Sequence, residues 1–206
     1  MVARVQSRRP RGEQGLRHAC ARVCRTLYDR FLVEGAGGNV SARIRETNHI
    51  LITPSGISLG LVRPPDLIVV DMAGRTLQAP RGMIPSTELP LHIATYRTRP
   101  DVGAIIHAHP PFATAFACRG RSLPLPAITG RVLLSEVPCI PYATSGTEDL
   151  GRVAGAALRR YSQSRGFLLR NHGILVVGDS VDVALDLADL VEFTAKTAFL
   201  VQQLNG

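Results

Sequence analysis

Lysine is nearly missing from this chain: Lys196 is the only one in 206 residues. Its scarcity excludes the GxxxxGK[ST] loop of P-loop nucleotide chemistry. It also leaves Schiff-base catalysis to Lys196 alone, an ordinary position in the apolar-periodic stretch ALDLADLVEFTAKTAFLVQQL. Any carbonyl chemistry here needs another electrophile. Tryptophan is absent and aromatic residues make up 5% of the chain, so there is no aromatic-interleaved basic patch of the kind that grips nucleic acid. No apolar run approaches the roughly 20 residues that span a bilayer. The four cysteines, Cys20, Cys24, Cys118 and Cys139, form no CxxC pair. Cys20 and Cys24 are spaced to share one helix face, so buried thiols in a reducing compartment are the expected reading, not disulfides or zinc ligands.

What is present is an ordinary globular composition, 45% apolar with a formal charge of +8. The length predicts one domain over residues 13–206. Residues 1–12 carry Arg4, Arg8, Arg9 and Arg11 and no acid. Such an arm could serve nucleic acid or an anionic surface; we read it instead as a solvated, disordered terminus. No apolar stretch follows it, so it is not a secretory signal, and the expected location is the cytoplasm. Neither nucleic acid nor membrane is an expected partner. A positive field suits a phosphorylated small molecule equally well.

Leu16, Ala19, Cys20, Val23, Leu27 and Phe31 recur at helical spacing and predict a helix over 13–34, with Gly35 as its stop. GAGGNVSARI, HILITPSG and DLIVVDMAG predict strands closed by turn residues. STELPLHIATYRTRP predicts a helix with Ser86 as N-cap and Pro100 as terminator. VGAIIHAH follows as a buried strand and PFATAFACRG as a short helix stopped by Gly120. VPCIPY predicts a strand, TEDLGRVAGAALRRY a helix, and GFLLRN with GILVVGD a hairpin or tight corner around His172 and Gly173. A long helix closes the chain, capped by Asp179 or Ser180. Several strands follow one another without an intervening helix, so α/β layers around a mixed or mostly antiparallel sheet are expected.

In AIIHAHPPF, His107 and His109 sit two apart, and on a strand they project to the same face. They are either a pair of metal ligands, for which neutral imidazole is well suited, or two polar residues where a strand meets a loop. His172 in RNHGIL is a third candidate: a ligand at a strand end, or a corner histidine bonded to backbone. Glu88 in PSTE is either an acid/base or a helix-capping carboxylate. His92, four residues later, reads as a helix partner and not a ligand; His18 and His49 carry no sign of a site. GGN at 37–39, PSG at 54–56 and ST at 86–87 are small polar loops that could cradle an anion or simply turn the chain.

The ordered segments GAGGNVSAR, LITPSGI, PSTELPLHIATYRTRPDVGAIIHAHPPFATA, PYATSGT and NHGILVVG resemble the class II aldolase/adducin family, most closely its zinc-dependent L-fuculose-1-phosphate aldolase branch. The resemblance runs from about residue 15 to 204. It implies a three-layer α/β/α domain and a homotetramer with active sites between subunits. It implies a zinc ion, or another divalent first-row metal, on His107, His109 and His172, with Glu88 as catalytic carboxylate. It implies phosphate binding by Gly38, Asn39, Ser55, Gly56, Ser86 and Thr87. The implied reaction is reversible cleavage of a ketose 1-phosphate to dihydroxyacetone phosphate and an aldehyde, with the metal as the missing electrophile. Two tyrosines of that branch have no counterpart: LPLPAITGRVLLSEVPC offers Thr129, Gly130 and Arg131 instead, and the chain ends at Gly206. The aldehyde specificity is therefore open. Ribulose-phosphate 4-epimerases of the superfamily carry Asp where this chain has Glu88. Methylthioribulose-phosphate dehydratases and sugar-acid phosphate decarboxylases share the Glu and are rival readings. A non-catalytic adducin-head-like binding domain would have eroded ligands, and here all are retained.

Overall fold

A computed structural model describes residues 12–45 and 47–204. The basic arm expected over residues 1–12 lies outside them except for Gly12, the first residue of α1. In chain order the elements are α1 (Gly12–Asp29), β1 (Asn39–Ile44), β2 (His49–Ile52), β3 (Ile68–Val70), β4 (Thr76–Gln78), α2 (Leu89–Thr98), β5 (Ala104–Ala108), α3 (Pro111–Arg119), α4 (Ile128–Leu134), β6 (Cys139–Ile140), α5 (Glu148–Arg160), β7 (Gly166–Leu169), β8 (Gly173–Gly178) and α6 (Val181–Leu204). The strands form one sheet in the order β4-β3-β2-β1-β5-β8-β7-β6. Only β6 and β7 pair in parallel; the other neighbours are antiparallel. The expected mixed, mostly antiparallel sheet is what forms.

Strand parity divides the interior into two cores. Leu51, Val40, Ala42, Ile106 and Val176 face α1, α3, α4 and α6. Ile50, Ile52, Ile105, Leu175 and Val177 face α2 and α5. Both faces are covered by helices, which is why these strands read as unbroken apolar runs and not as alternating ones. The result is a three-layer α/β/α architecture. Cys20 and Cys24 are buried in the first core as free thiols; burial pushes the Cys20 thiol up to about 12.

Two element ends differ from the sequence expectation. α1 stops at Asp29, not near Gly35. Leu32 N–H donates to Leu27 O and Phe31 N–H to Tyr28 O, each at 3.0 Å. This pair of bonds is a Schellman closure with Phe31 in the left-handed position at φ 57°, a place that usually selects glycine. The second is α2: it begins at Leu89 with Glu88 in the N-cap position, and Ser86 does not cap it. Ser86 Oγ instead accepts the Glu88 N–H at 3.2 Å, a turn within the approach to the helix. The closing helix is capped as expected by Ser180, whose Oγ accepts the Val183 N–H. β4, an exposed edge strand, and α4, which packs on α6 with Gly130 against Thr194, had no counterpart in the sequence expectation.

Candidate metal centre

β5 ends at the sheet's middle, beside β1 on one side and β8 on the other. His107 occupies its penultimate position and is 1% exposed. Its Nδ1 donates to Ile174 O of β8 at 2.9 Å, which fixes the ring and leaves Nε2 bare. His109 follows just past the strand, with Nδ1 3.0 Å from Glu34 Oε1. The two Nε2 atoms face each other at 2.9 Å. Each ring thus has its far nitrogen directed at an oxygen acceptor and turns the near one toward a shared point. Two lone pairs so placed repel one another, and a cation between them removes the repulsion.

His172 completes the group from the β7–β8 turn. Leu169 pairs with Gly173 across that hairpin, and Asn171 supplies the left-handed residue at φ 57°. Gly173 has a different task from the turn-making one its position suggested. A Cβ there would lie 2.3 Å from Ala108 O and 2.6 Å from His109 Cδ2, so only glycine lets β8 and the His109 ring approach this closely. The ring centroids of His107 lie 4.7 Å from His109 and 4.6 Å from His172. One nitrogen from each of the three rings falls within 4.8 Å of the others. Burial holds the imidazole of His107 well below the usual histidine range, assisted by the neighbouring rings. Burial lowers His172 as well, against the opposing pull of Glu88. Both favour the neutral form that ligates metals.

Glu88 stands over this cluster. Its side chain makes no capping bond to α2, so the capping alternative does not describe it. Oε1 accepts from Ser145 Oγ and, at 3.2 Å, from Gly146 N–H. Oε2 is buried without a hydrogen-bond partner, 3.6 Å from His107 Nε2. A buried carboxylate oxygen with no protein donor is costly unless an ion, a ligand or a water meets it.

The three small polar loops meet beside the histidines. Asn39 lies directly opposite His107 in the β1–β5 register. Val40 N–H donates to Thr53 Oγ1, Ser86 N–H to Thr53 O, and Ser55 N–H to Ile84 O. The Asn39, Ser55 and Ser86 loops are thereby stitched into one rim. Gly38 and Gly56 are left-handed at φ 75° and 74°. Gly56 and Thr87 are exposed and Gly38 and Ser55 half-buried, whereas Asn39 and Ser86 are buried.

Sequence reasoning missed two contacts here. Glu34 reaches His109 from the loop after α1 because Gly37 has no side chain: a Cβ there would sit 2.8 Å from Glu34 Oε1. Ser145 belongs to the quoted PYATSGT motif, yet nothing in its spacing pointed to Glu88.

A family model for the class II aldolase and adducin N-terminal domain matches residues 18–199. This chain belongs to that family. Among class II aldolase relatives, it is 31% identical over 184 residues to an L-fuculose phosphate aldolase of Methanococcus maripaludis, covering 89% of this chain and 96% of the relative. It is 36% identical over 190 residues to a 5-methylthioribulose-1-phosphate/5-deoxyribulose-1-phosphate aldolase of Rhodospirillum rubrum, covering 91% and 81%. The solved L-fuculose-1-phosphate aldolase of Thermus thermophilus superposes with a TM-score of 0.81 at 30% identity, over 93% of this chain and 96% of that one.

Proposed function

We propose that this protein is a metal-dependent aldolase that reversibly cleaves a ketose 1-phosphate into dihydroxyacetone phosphate and an aldehyde. The observation that carries the reading is the convergence of three imidazole nitrogens on one point beside the unpartnered Oε2 of Glu88. The donor set fits a divalent ion, zinc by ligand type: three neutral nitrogens leave a coordination position open. When bound, the metal supplies Lewis-acid polarisation of the substrate carbonyl, the role a Schiff-base lysine would otherwise fill. His107, His109 and His172 hold it. Glu88 Oε2, free of any protein donor, takes up or hands over the proton at the carbon next to the carbonyl. Ser145 and Gly146 steady Oε1, so the free oxygen keeps its aim. Gly38, Asn39, Ser55, Gly56, Ser86 and Thr87 bind the phosphate and turn its binding energy into orientation.

Relatives of two names bear on the sugar. The L-fuculose phosphate aldolases favour a six-carbon deoxyketose; the relative at 36% identity favours 5-deoxyribulose or 5-methylthioribulose 1-phosphate. We place the protein in the cytoplasm as a homotetramer. Support for association comes from exposed Phe31, Ile128 and Phe193, at 80%, 76% and 65% exposure; no described helix is long and apolar enough to cross a membrane.

The deciding assay follows dihydroxyacetone phosphate release from L-fuculose, 5-deoxyribulose and 5-methylthioribulose 1-phosphates, on protein of known metal content with and without chelator. Chelator-sensitive release from any of them supports the aldolase, and their ranking names the sugar. No release from zinc-loaded protein refutes it in favour of a dehydratase or decarboxylase on the same scaffold.

A further inference from the structure

His92 lies beneath the site, four residues along α2 from Glu88, and is wholly buried. Both its nitrogens are engaged. Nε2 is 2.5 Å from Asn39 Oδ1, and Nδ1 is 2.6 Å from Ser41 Oγ. Ser41 Oγ in turn lies 2.9 Å from Tyr96 Oη. Ser41 and Tyr96 are 0% and 1% exposed, so water does not reach these hydroxyls. Among the described residues Tyr96 Oη has no other hydrogen-bond partner.

This dead end gives the chain a direction. If His92 carried its proton on Nδ1, Ser41 would accept it, and one buried hydroxyl proton would be left unpaired, that of Tyr96 if Ser41 donates to it or that of Ser41 if Tyr96 donates, at a cost of about 1–3 kcal/mol. In the opposite sense every proton has an acceptor. Tyr96 donates to Ser41, Ser41 to His92 Nδ1, and His92 Nε2–H to Asn39 Oδ1. Burial lowers the His92 imidazole to about 3, so the ring is neutral and carries only one proton. With Oδ1 engaged, the Asn39 amide nitrogen keeps both hydrogens, and no described protein group accepts them.

We propose that Ser41 and His92 are positioning residues, with Tyr96 as the donor that fills the Ser41 acceptor: they lock the Asn39 amide with its N–H groups turned into the site, as donors to a phosphate oxygen of the substrate. The inference rests on the sugar-phosphate reading of the site, and it explains a histidine that ligates nothing. Asparagine amides can flip freely between donor and acceptor faces, and an inverted amide would present oxygen to an anion. The relay forbids that inversion from a distance of two side chains.

Two measurements on zinc-loaded protein test it. Long-range nitrogen-15 NMR of labelled histidine reads the His92 tautomer; we expect Nε2–H with bare Nδ1. Tyr96→Phe should keep that tautomer, because Ser41 still donates. Ser41→Ala should mix the two forms. Should Ser41→Ala fail to fold for want of a partner for Tyr96, the double variant Ser41→Ala/Tyr96→Phe removes that orphan. Calorimetry with inorganic phosphate as probe reads the consequence. Asn39→Ala should weaken phosphate roughly 10-fold or more, and the Ser41 variants roughly 2- to 10-fold as the competent orientation is diluted. An Nδ1–H tautomer in the parent protein overturns the relay. So does phosphate affinity that is absent, or unchanged in Asn39→Ala and the Ser41 variants, as binding through the metal alone would give. Failure of the parent to cleave any ketose phosphate, with the tautomer and phosphate results as expected, sinks the aldolase reading and leaves the relay standing.

Discussion

Replacing Glu88 with glutamine separates a working carboxylate from a structural one, because the two predict opposite signs for stability. Glutamine has the same shape. Its oxygen can still accept from Ser145 and Gly146, the two donors on Oε1. Its amide can sit where Oε2 now lies buried and unpaired, 3.6 Å from His107 Nε2. There an amide hydrogen can turn to His107 Nε2 as acceptor, and trading an unpaired buried oxygen for a paired donor returns about 1–3 kcal/mol. Exchanging charge-assisted bonds to Oε1 for neutral ones loses about 1 kcal/mol. The chelator-treated variant should therefore be neutral to about 2 kcal/mol more stable than the parent. In a chain of this size each kcal/mol moves Tm by roughly 2–4 °C, so scanning calorimetry should show no fall and up to several degrees of gain.

Catalysis should move the other way. Without a group that exchanges protons, kcat for ketose-phosphate cleavage should drop by roughly 10²–10⁴, a barrier increase of about 3–5 kcal/mol. Metal content should be retained, since the three imidazoles are untouched. A variant that melts several degrees lower and turns over at the parent rate would refute the reasoning: Glu88 would then be a structural carboxylate tying α2 to the Ser145 loop.

The remaining predictions concern the metal cradle and pH. Glu34→Gln should weaken metal roughly 10- to 100-fold, the usual cost of losing an outer carboxylate on a ligating histidine, measured by competition with a chromogenic chelator; equal affinity would leave Glu34 a surface residue. Gly173→Ala should destabilise the fold by about 1–3 kcal/mol and release metal, because the new methyl meets Ala108 O and the His109 ring; urea unfolding and metal analysis check both. His92 has its folded pKa lowered to about 3 by burial, below its unfolded value near 6.5. Its share of stability is thus complete above about pH 6.5 and is lost as pH falls toward 3, at about 1.4 kcal/mol per pH unit. Unfolding free energies at pH 7.5 and 5.5 should show that loss together with those of His107 and His172, and His92→Gln should make the slope shallower; an equal slope in the variant refutes the assignment.

How much of this was legible in the sequence depended on the range of each interaction. The pairing of His107 with His109 was readable because strand parity is a local rule, and His172 because a polar residue stood between two apolar strands. The layers and the mostly antiparallel sheet followed from helices set between short strands, several of which follow one another without a helix; the three-layer form came from the family resemblance. The end of α1 was misread because glycine is the usual left-handed stop and here Phe31 takes that conformation, paired by Leu32 and Leu27. Glu34 and His109 are 75 residues apart, and His92 lies 51 residues from Ser41. No periodicity links such pairs; only the β1–β5 register and the approach of α2 to the sheet bring them together.

The same long-range contacts show where the fold accepts strain. Among the described residues three buried side-chain atoms lack a hydrogen-bond partner: Glu88 Oε2, Thr114 Oγ1 and Ser164 Oγ. Two are neutral hydroxyls. The third belongs to a carboxylate that stands beside His107 and His172, two of the three imidazoles whose nitrogens gather at one point. A few residues below, the equally buried Tyr96, Ser41 and His92 leave nothing unpaired. Packing therefore had the means to satisfy polar groups at this depth, and Glu88 was left unsatisfied where a cation and a substrate proton would complete it. That contrast between neighbours within one layer is what separates a site from a poorly packed interior.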